Sequence, residues 1–166
     1  MNKEQLKEKI LHAVQKGDIA QLYMLEQVAH EHLDEESLHG FYANILDLAL
    51  EKLTNTLESH TTMDTTQVQD FATLRALYEY AIEHYSAGDK NDAAALFEVL
   101  SGLSNDKNFS QAMHYHTHAA QKQISLEDFI ENYADVDATQ QSGSFYLNCF
   151  KEKAQELLED SQSKGE

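Results

Sequence analysis

The 166-residue chain contains no proline, no tryptophan, one cysteine and six glycines. Without proline nothing forces a kink or deletes a backbone donor, so long helices follow wherever apolar spacing supports them. A single cysteine, Cys149, excludes an intrachain disulfide and argues against a cysteine-based metal site, in keeping with a reducing compartment. No apolar run approaches the roughly 18 residues of a membrane span, and Met1 opens no charged-then-apolar leader. The expectation is a cytoplasmic protein without membrane insertion. Basic side chains are also scarce, 12 against 29 acidic ones, for a formal charge of −17. A surface this negative argues against nucleic acid, whose binding draws on Lys and Arg, while self-repulsion keeps a chain with an apolar groove soluble.

What the chain does have is helical periodicity. With 42% hydrophobic residues it is long enough for one domain, burying roughly 70% of its unfolded surface. The stretch Leu74 to Asp106 reads as a helix-turn-helix: Leu77, Tyr78, Ala81, Ile82 and Tyr85 recur at three- and four-residue steps. Ala93, Leu96, Phe97, Leu100 and Leu103 do so again after the turn signal Gly88-Asp89. Ala93-x-x-x-Phe97 reproduces the Ala-x3-Phe step of the tetratricopeptide repeat. An antiparallel helix pair with a glycine turn is the plainer reading of the same pattern.

Before this hairpin, Leu6, Ile10, Leu11 and Val14 mark a helix from Lys3 to Gln15, and Gly17-Asp18 interrupts it before Ile19, Leu22, Leu25 and Val28 begin another. Asp34 caps a longer helix with a broad stripe from Leu38 through Phe41, Ile45 and Ala49 to Leu57. The polar stretch Ser59 to Thr66 suits a linker and marks the main joint. After Asp106 a helix is predicted from Phe109 to Gln121, then a capping box at Ser125-Leu126-Glu127-Asp128, a loop from Asp135 to Ser144 and a helix from Phe145 to Leu158. The predicted fold is therefore all-α, built of tetratricopeptide-like hairpins in a short α-solenoid or helical bundle of about seven or eight helices. Residues 1–58 form an amino-terminal hairpin or bundle, 66–160 a tetratricopeptide-like region that can be continuous with it, and 161–166 a disordered tail.

The run LYEYAIEHYSAGDKNDAAALFEVLSGLSND is similar to the first tetratricopeptide repeat of the class II chaperones of bacterial type III secretion. Leu77-Tyr78, Ala81, Tyr85 and Gly88 stand at the family's positions in the first helix and turn. Ala93, Phe97, Leu100 and Leu103 do so in the second helix. The match is confined mainly to residues 74–106; the glycine turn expected near Lys122 and the alanine expected near Asp128 are missing. The resemblance implies a chaperone whose groove masks a secreted, translocator-like client, with Tyr78, Ile82 and Tyr85 as the client-binding residues and a homodimer as one possible assembly. Those three residues also have a plain reading as core. A regulatory or structural adaptor of the same architecture is the alternative function.

Catalysis is not expected. His114 and His118, at i and i+4 in MHYHTHAA, are the weak metal candidates, but no third ligand and no intervening glutamate accompany them, so neither metal nor other cofactor is predicted. Cys149 lacks the basic surroundings that activate a thiol. No nucleophile elbow, phosphate loop or calcium-loop spacing is present.

Overall fold

The structure is a computed structural model and describes residues 1–158. Among these the protein is all-α, with ten helical elements, close to the predicted number, and Ala134 forms an isolated antiparallel bridge with Phe150. The tail predicted over 161–166 lies outside the described residues. By its contacts the chain divides into two compact units, Met1–Leu77 and Tyr78–Glu166. The division falls inside helix α5, Val68–Ser86, whereas the polar Ser59–Thr66 stretch is the connection leading into that helix.

The first unit begins with α1, Lys3–Lys16, opened by a reciprocal cap in which Asn2 and Gln5 side chains each accept the other's backbone N–H, and closed by Gly17 at φ +67°. Asp18 then does double duty: one carboxylate oxygen accepts the Gln21 N–H at 3.0 Å, starting α2, Ile19–Met24, and the Gln69 side-chain amide at 2.5 Å. After α3, Glu26–His32, Asp34 accepts the Ser37 N–H at 2.7 Å and opens α4, Glu35–Glu58. That bond holds the Asp34 carboxyl below the usual carboxylate range. Phe41, Ile45 and Ala49, one face of α4 at four-residue steps, are buried, as are Leu6, Ile19, Leu22 and Ala29 of the helices packed with it. The start of α5 is tied to the same unit by polar contacts. Lys52 pairs with Asp70 at 2.7 Å, and Arg75 lies 3.1 Å from Glu26 with its guanidinium 3.9 Å from the centre of the Tyr23 ring.

The second unit holds the end of α5, then α6, Lys90–Leu103, and α7, Lys107–Gln121, an extensively packed pair. The predicted turn is present: Gly88 adopts φ +89°, and the Asp89 N–H reaches back to the His84 carbonyl at 2.9 Å. An added Cβ at Gly88 would meet no atom within 4 Å, so the backbone alone carries the penalty of substitution. Gly88→Ala is expected to cost about 1–2 kcal/mol, measured as a lower thermal unfolding midpoint. Helix α7 also ends at a left-handed residue, but there it is Gln123, at φ +64°, that makes the turn for which the family resemblance implied a glycine. Ser125 accepts the Asp128 N–H and starts α8, Leu126–Asn132.

The last part of the unit departs from expectation. The segment predicted as loop contains α9, Val136–Ser142, capped by Asp135 accepting the Ala138 N–H at 3.1 Å and stopped by Gly143 at φ +71°. The segment predicted as helix from Phe145 is not helical over 144–151: the chain bends at Phe145 and Tyr146 and bridges to Ala134 at Phe150, and helical structure resumes only with the turn Glu152–Ala154.

Candidate functional site

An aromatic cluster fills the second unit. Tyr78 and Tyr85, two turns apart on α5, both contact Phe97 of α6, with ring centroids 6.1 and 5.9 Å away. His116 of α7 lies 5.3 Å from Tyr78, 4.8 Å from Phe97 and 4.9 Å from Phe129 of α8. These edge-on and tilted arrangements are the geometry that aromatic quadrupoles favour. All five side chains are buried.

One hydrogen-bonded chain runs through this apolar site. His116 Nδ1 lies 2.7 Å from the Ala112 carbonyl, an obligate acceptor, so Nδ1 carries the ring proton. Nε2 is then the acceptor for the Tyr78 hydroxyl at 2.8 Å, and the Tyr78 oxygen accepts the Leu147 N–H at 3.2 Å. Burial depresses the His116 pKa to about 4, opposed by the bond to Ala112. Burial also raises the Tyr78 phenol well above its usual range, opposed by the Leu147 N–H. Tyr85 is likewise raised by burial, then by the Asp128 carboxylate, and its hydroxyl donates to the Ile124 carbonyl at 2.7 Å.

The non-helical segment 144–151, hereafter the strap, lies over this cluster. Phe145 and Tyr146 flank Tyr78 at 6.0 and 6.2 Å, Tyr146 meets Phe109 at 5.0 Å, and Phe150 stacks at a tilt on Tyr115 at 4.6 Å. Its main chain is held as firmly as its rings. Thr139 Oγ1 accepts the N–H groups of Asn148 and Cys149, the Asp135 N–H donates to the Cys149 carbonyl at 2.8 Å, and the Lys151 N–H donates to the Tyr133 carbonyl at 2.9 Å. The strap's side chains from Ser144 to Phe150 are all half-buried. Burial, with Asp106 and Cys149 nearby, pushes the Tyr146 phenol up to about 12.

The residues predicted to floor a client groove therefore do share one helix face, but they do not form an open floor. Tyr78 and Tyr85 are 5% and 1% exposed, with hydroxyls satisfied within the chain, and Ile82 is half-buried. The reason is cover supplied by α6, α7, α8 and the strap. Of the histidines, His114 is exposed, His118 half-buried and His116 buried. No group of three or more His, Cys, Asp or Glu side chains among the described residues is placed to hold a metal ion. Cys149 is in the strap, not on a helix face. Sequence reasoning gave no separate role to His116, Thr139 or the aromatic strap; the available signal was Phe145-Tyr146-Leu147-Asn148-Cys149-Phe150, rich in β-formers directly after a glycine stop.

An open concavity of about 600 Å³ belongs to the first unit, between α1 and α4, and is lined by Ile10, Leu11, Val14, Leu33 and Phe41 among others. Among the described residues no helix is long and apolar enough to cross a membrane. No protein-family model, curated protein or solved structure matches this chain.

Proposed function

We propose that the chain is a non-catalytic protein-binding protein, a cytoplasmic chaperone that holds an extended segment of a secreted, translocator-like client against the tetratricopeptide-like helices of its second unit. The observation carrying this reading is the strap. A non-helical segment is laid against the helices of this unit, its backbone hydrogen-bonded to Tyr78, Tyr133, Asp135 and Thr139 and its aromatic side chains set against Tyr78, Phe109 and Tyr115. Main-chain hydrogen bonds supply affinity in such recognition, and side-chain pockets supply selectivity. Tyrosine suits the role because it offers a large rigid surface and a polar handle at little entropic cost. The excess of acid over base keeps empty copies apart.

The test is co-expression with a candidate secreted translocator-like protein from the same cell. A soluble complex of fixed stoichiometry that survives gel filtration is the expected result. Recovery of the chaperone alone, with that protein left insoluble, would sink the assignment of client. An adaptor acting on a different cytoplasmic protein would use the same surface and would give no such complex.

A further inference from the structure

We infer that the strap is an intramolecular stand-in for the client, so that the binding face beneath it is autoinhibited and opens to extended segments carrying two adjacent aromatics and a third four residues later. This rests on the protein-binding reading above and adds its regulation and its ligand chemistry. Four features of the second unit support it.

First, the strap is non-helical amid helices, bending at Phe145 and Tyr146 and pairing in antiparallel fashion around Phe150, and it is anchored mainly through backbone groups. The N–H groups of Leu147, Asn148, Cys149 and Lys151 and the carbonyl of Cys149 make the bonds that place it. A different non-helical segment possesses the same groups, so the helices do not distinguish the strap from a guest by its main chain. Second, the strap bears its selectivity in Phe145, Tyr146 and Phe150, and these rings stay half-buried while the surface they cover is more fully enclosed. Third, the face keeps its own polar network when the strap lifts. Tyr78 still donates to His116, His116 still donates to Ala112, and the only change at the tyrosine oxygen is a lone pair returned to solvent. The strap amides leave with the strap into water, and the one body donor released, the Asp135 N–H that loses the Cys149 carbonyl, belongs to a half-buried residue that water can reach.

Fourth, tethering at both ends, by α9 and by the turn Glu152–Ala154, keeps the strap at a high local concentration. A guest competes with that concentration, and its apparent affinity falls by the fraction of molecules in which the strap is open. Autoinhibition then protects a sticky aromatic face until a segment of matching pattern arrives.

The probe is a labelled synthetic peptide of the strap's own sequence, Gly143 to Glu152, added to the full chain and read by fluorescence anisotropy. The full chain carrying Leu147→Pro loses the donor to Tyr78, and the triple variant Phe145→Ser, Tyr146→Ser, Phe150→Ser loses the aromatic grip. Both are expected to bind the peptide between about tenfold and a thousandfold more tightly than wild type, the inverse of an open population of about 0.1–10%. A peptide with the three aromatics replaced by serine is expected to bind neither. Variants that unfold cooperatively yet bind the peptide no better than wild type would overturn the inference. Should the variants not fold, hydrogen exchange on wild type decides. Leu147, Asn148 and Cys149 amides are expected to exchange through local opening, well ahead of the Thr117 amide in α7; exchange only together with α7 overturns the idea. Because the peptide is the chain's own, a negative co-expression result combined with tight peptide binding rejects the named client and leaves the strap mechanism standing.

Discussion

Tyr85→Ala is expected to lower the unfolding free energy by about 3–5 kcal/mol, the range for removing a large aromatic from a filled core. The ring is 1% exposed and packs between Phe97 and Phe129, so its loss leaves a cavity bounded by two helices that cannot both collapse into it. Tyr78→Ala belongs in the same range, because it removes the shared neighbour of Phe97, His116, Phe145 and Tyr146. Since small domains are stable by only about 5–15 kcal/mol, either change threatens the fold of the second unit. Conservative variants separate the ring from its hydroxyl. Tyr85→Phe keeps the packing and leaves the Ile124 carbonyl without its donor, for an expected loss of about 1–3 kcal/mol. Urea denaturation of the three variants checks this. A groove-floor role would predict near-wild-type midpoints for both alanine variants, and that outcome would refute the core placement.

The contrast between these tyrosines and the rest of the hairpin shows what a sequence carries and what it omits. The stripe Leu77, Tyr78, Ala81, Tyr85 fixes which face of α5 is apolar, and Gly88 fixes where the helix ends, because both are local consequences of period and backbone freedom. The caps at Asp34 and Ser125 are legible for the same reason. What covers an apolar face is not local. Tyr78 is covered partly by Tyr146 and bonded to Leu147, nearly seventy residues on, and no spacing rule links them.

The two errors near the carboxyl end have a common source. Phe145, Cys149 and Phe150 fall at helical spacing, yet short apolar runs do not distinguish helix from strand by period alone. Pairing with Tyr133–Asp135 decided for the non-helical form. Conversely, DATQQS lacks an apolar stripe and reads as loop, but Asp135 and Gly143 bracket it as cap and stop, and a single buried side chain, Thr139, suffices to seat it. The same Thr139 then holds the strap, so the misread helix and the misread strap are one structural device.

Acid is the second large lever. His116 is neutral in the folded protein because burial depresses its pKa to about 4, whereas in the unfolded chain it titrates near the ordinary histidine value of 6.5. Between those values the unfolded chain binds the extra proton, so stability is fully present above pH 6.5 and is lost as pH falls toward about 4. A depression of that size corresponds to roughly 3 kcal/mol. Asp34 and Asp64 titrate elsewhere: their carboxyls are held below 3.8 by hydrogen bonds, so what they contribute is lost only at lower pH. His118 is depressed too, chiefly by burial, with the same sign, but it cancels when two proteins sharing it are compared. The comparison is wild type against His116→Gln, whose amide can still donate to Ala112 and accept from Tyr78. The variant is expected to be less stable at pH 7 and to show a flatter denaturation profile between pH 6.5 and 4. Equal slopes for the two proteins would show that His116 is not the group responsible. Protonation also turns Nε2 from acceptor to donor, which removes the acceptor of the Tyr78 hydroxyl and disturbs the oxygen that holds the Leu147 N–H. Strap amides should therefore exchange faster at pH 5 than the intrinsic change in exchange chemistry allows, while the α1 amides of the first unit, remote in sequence from His116, should not.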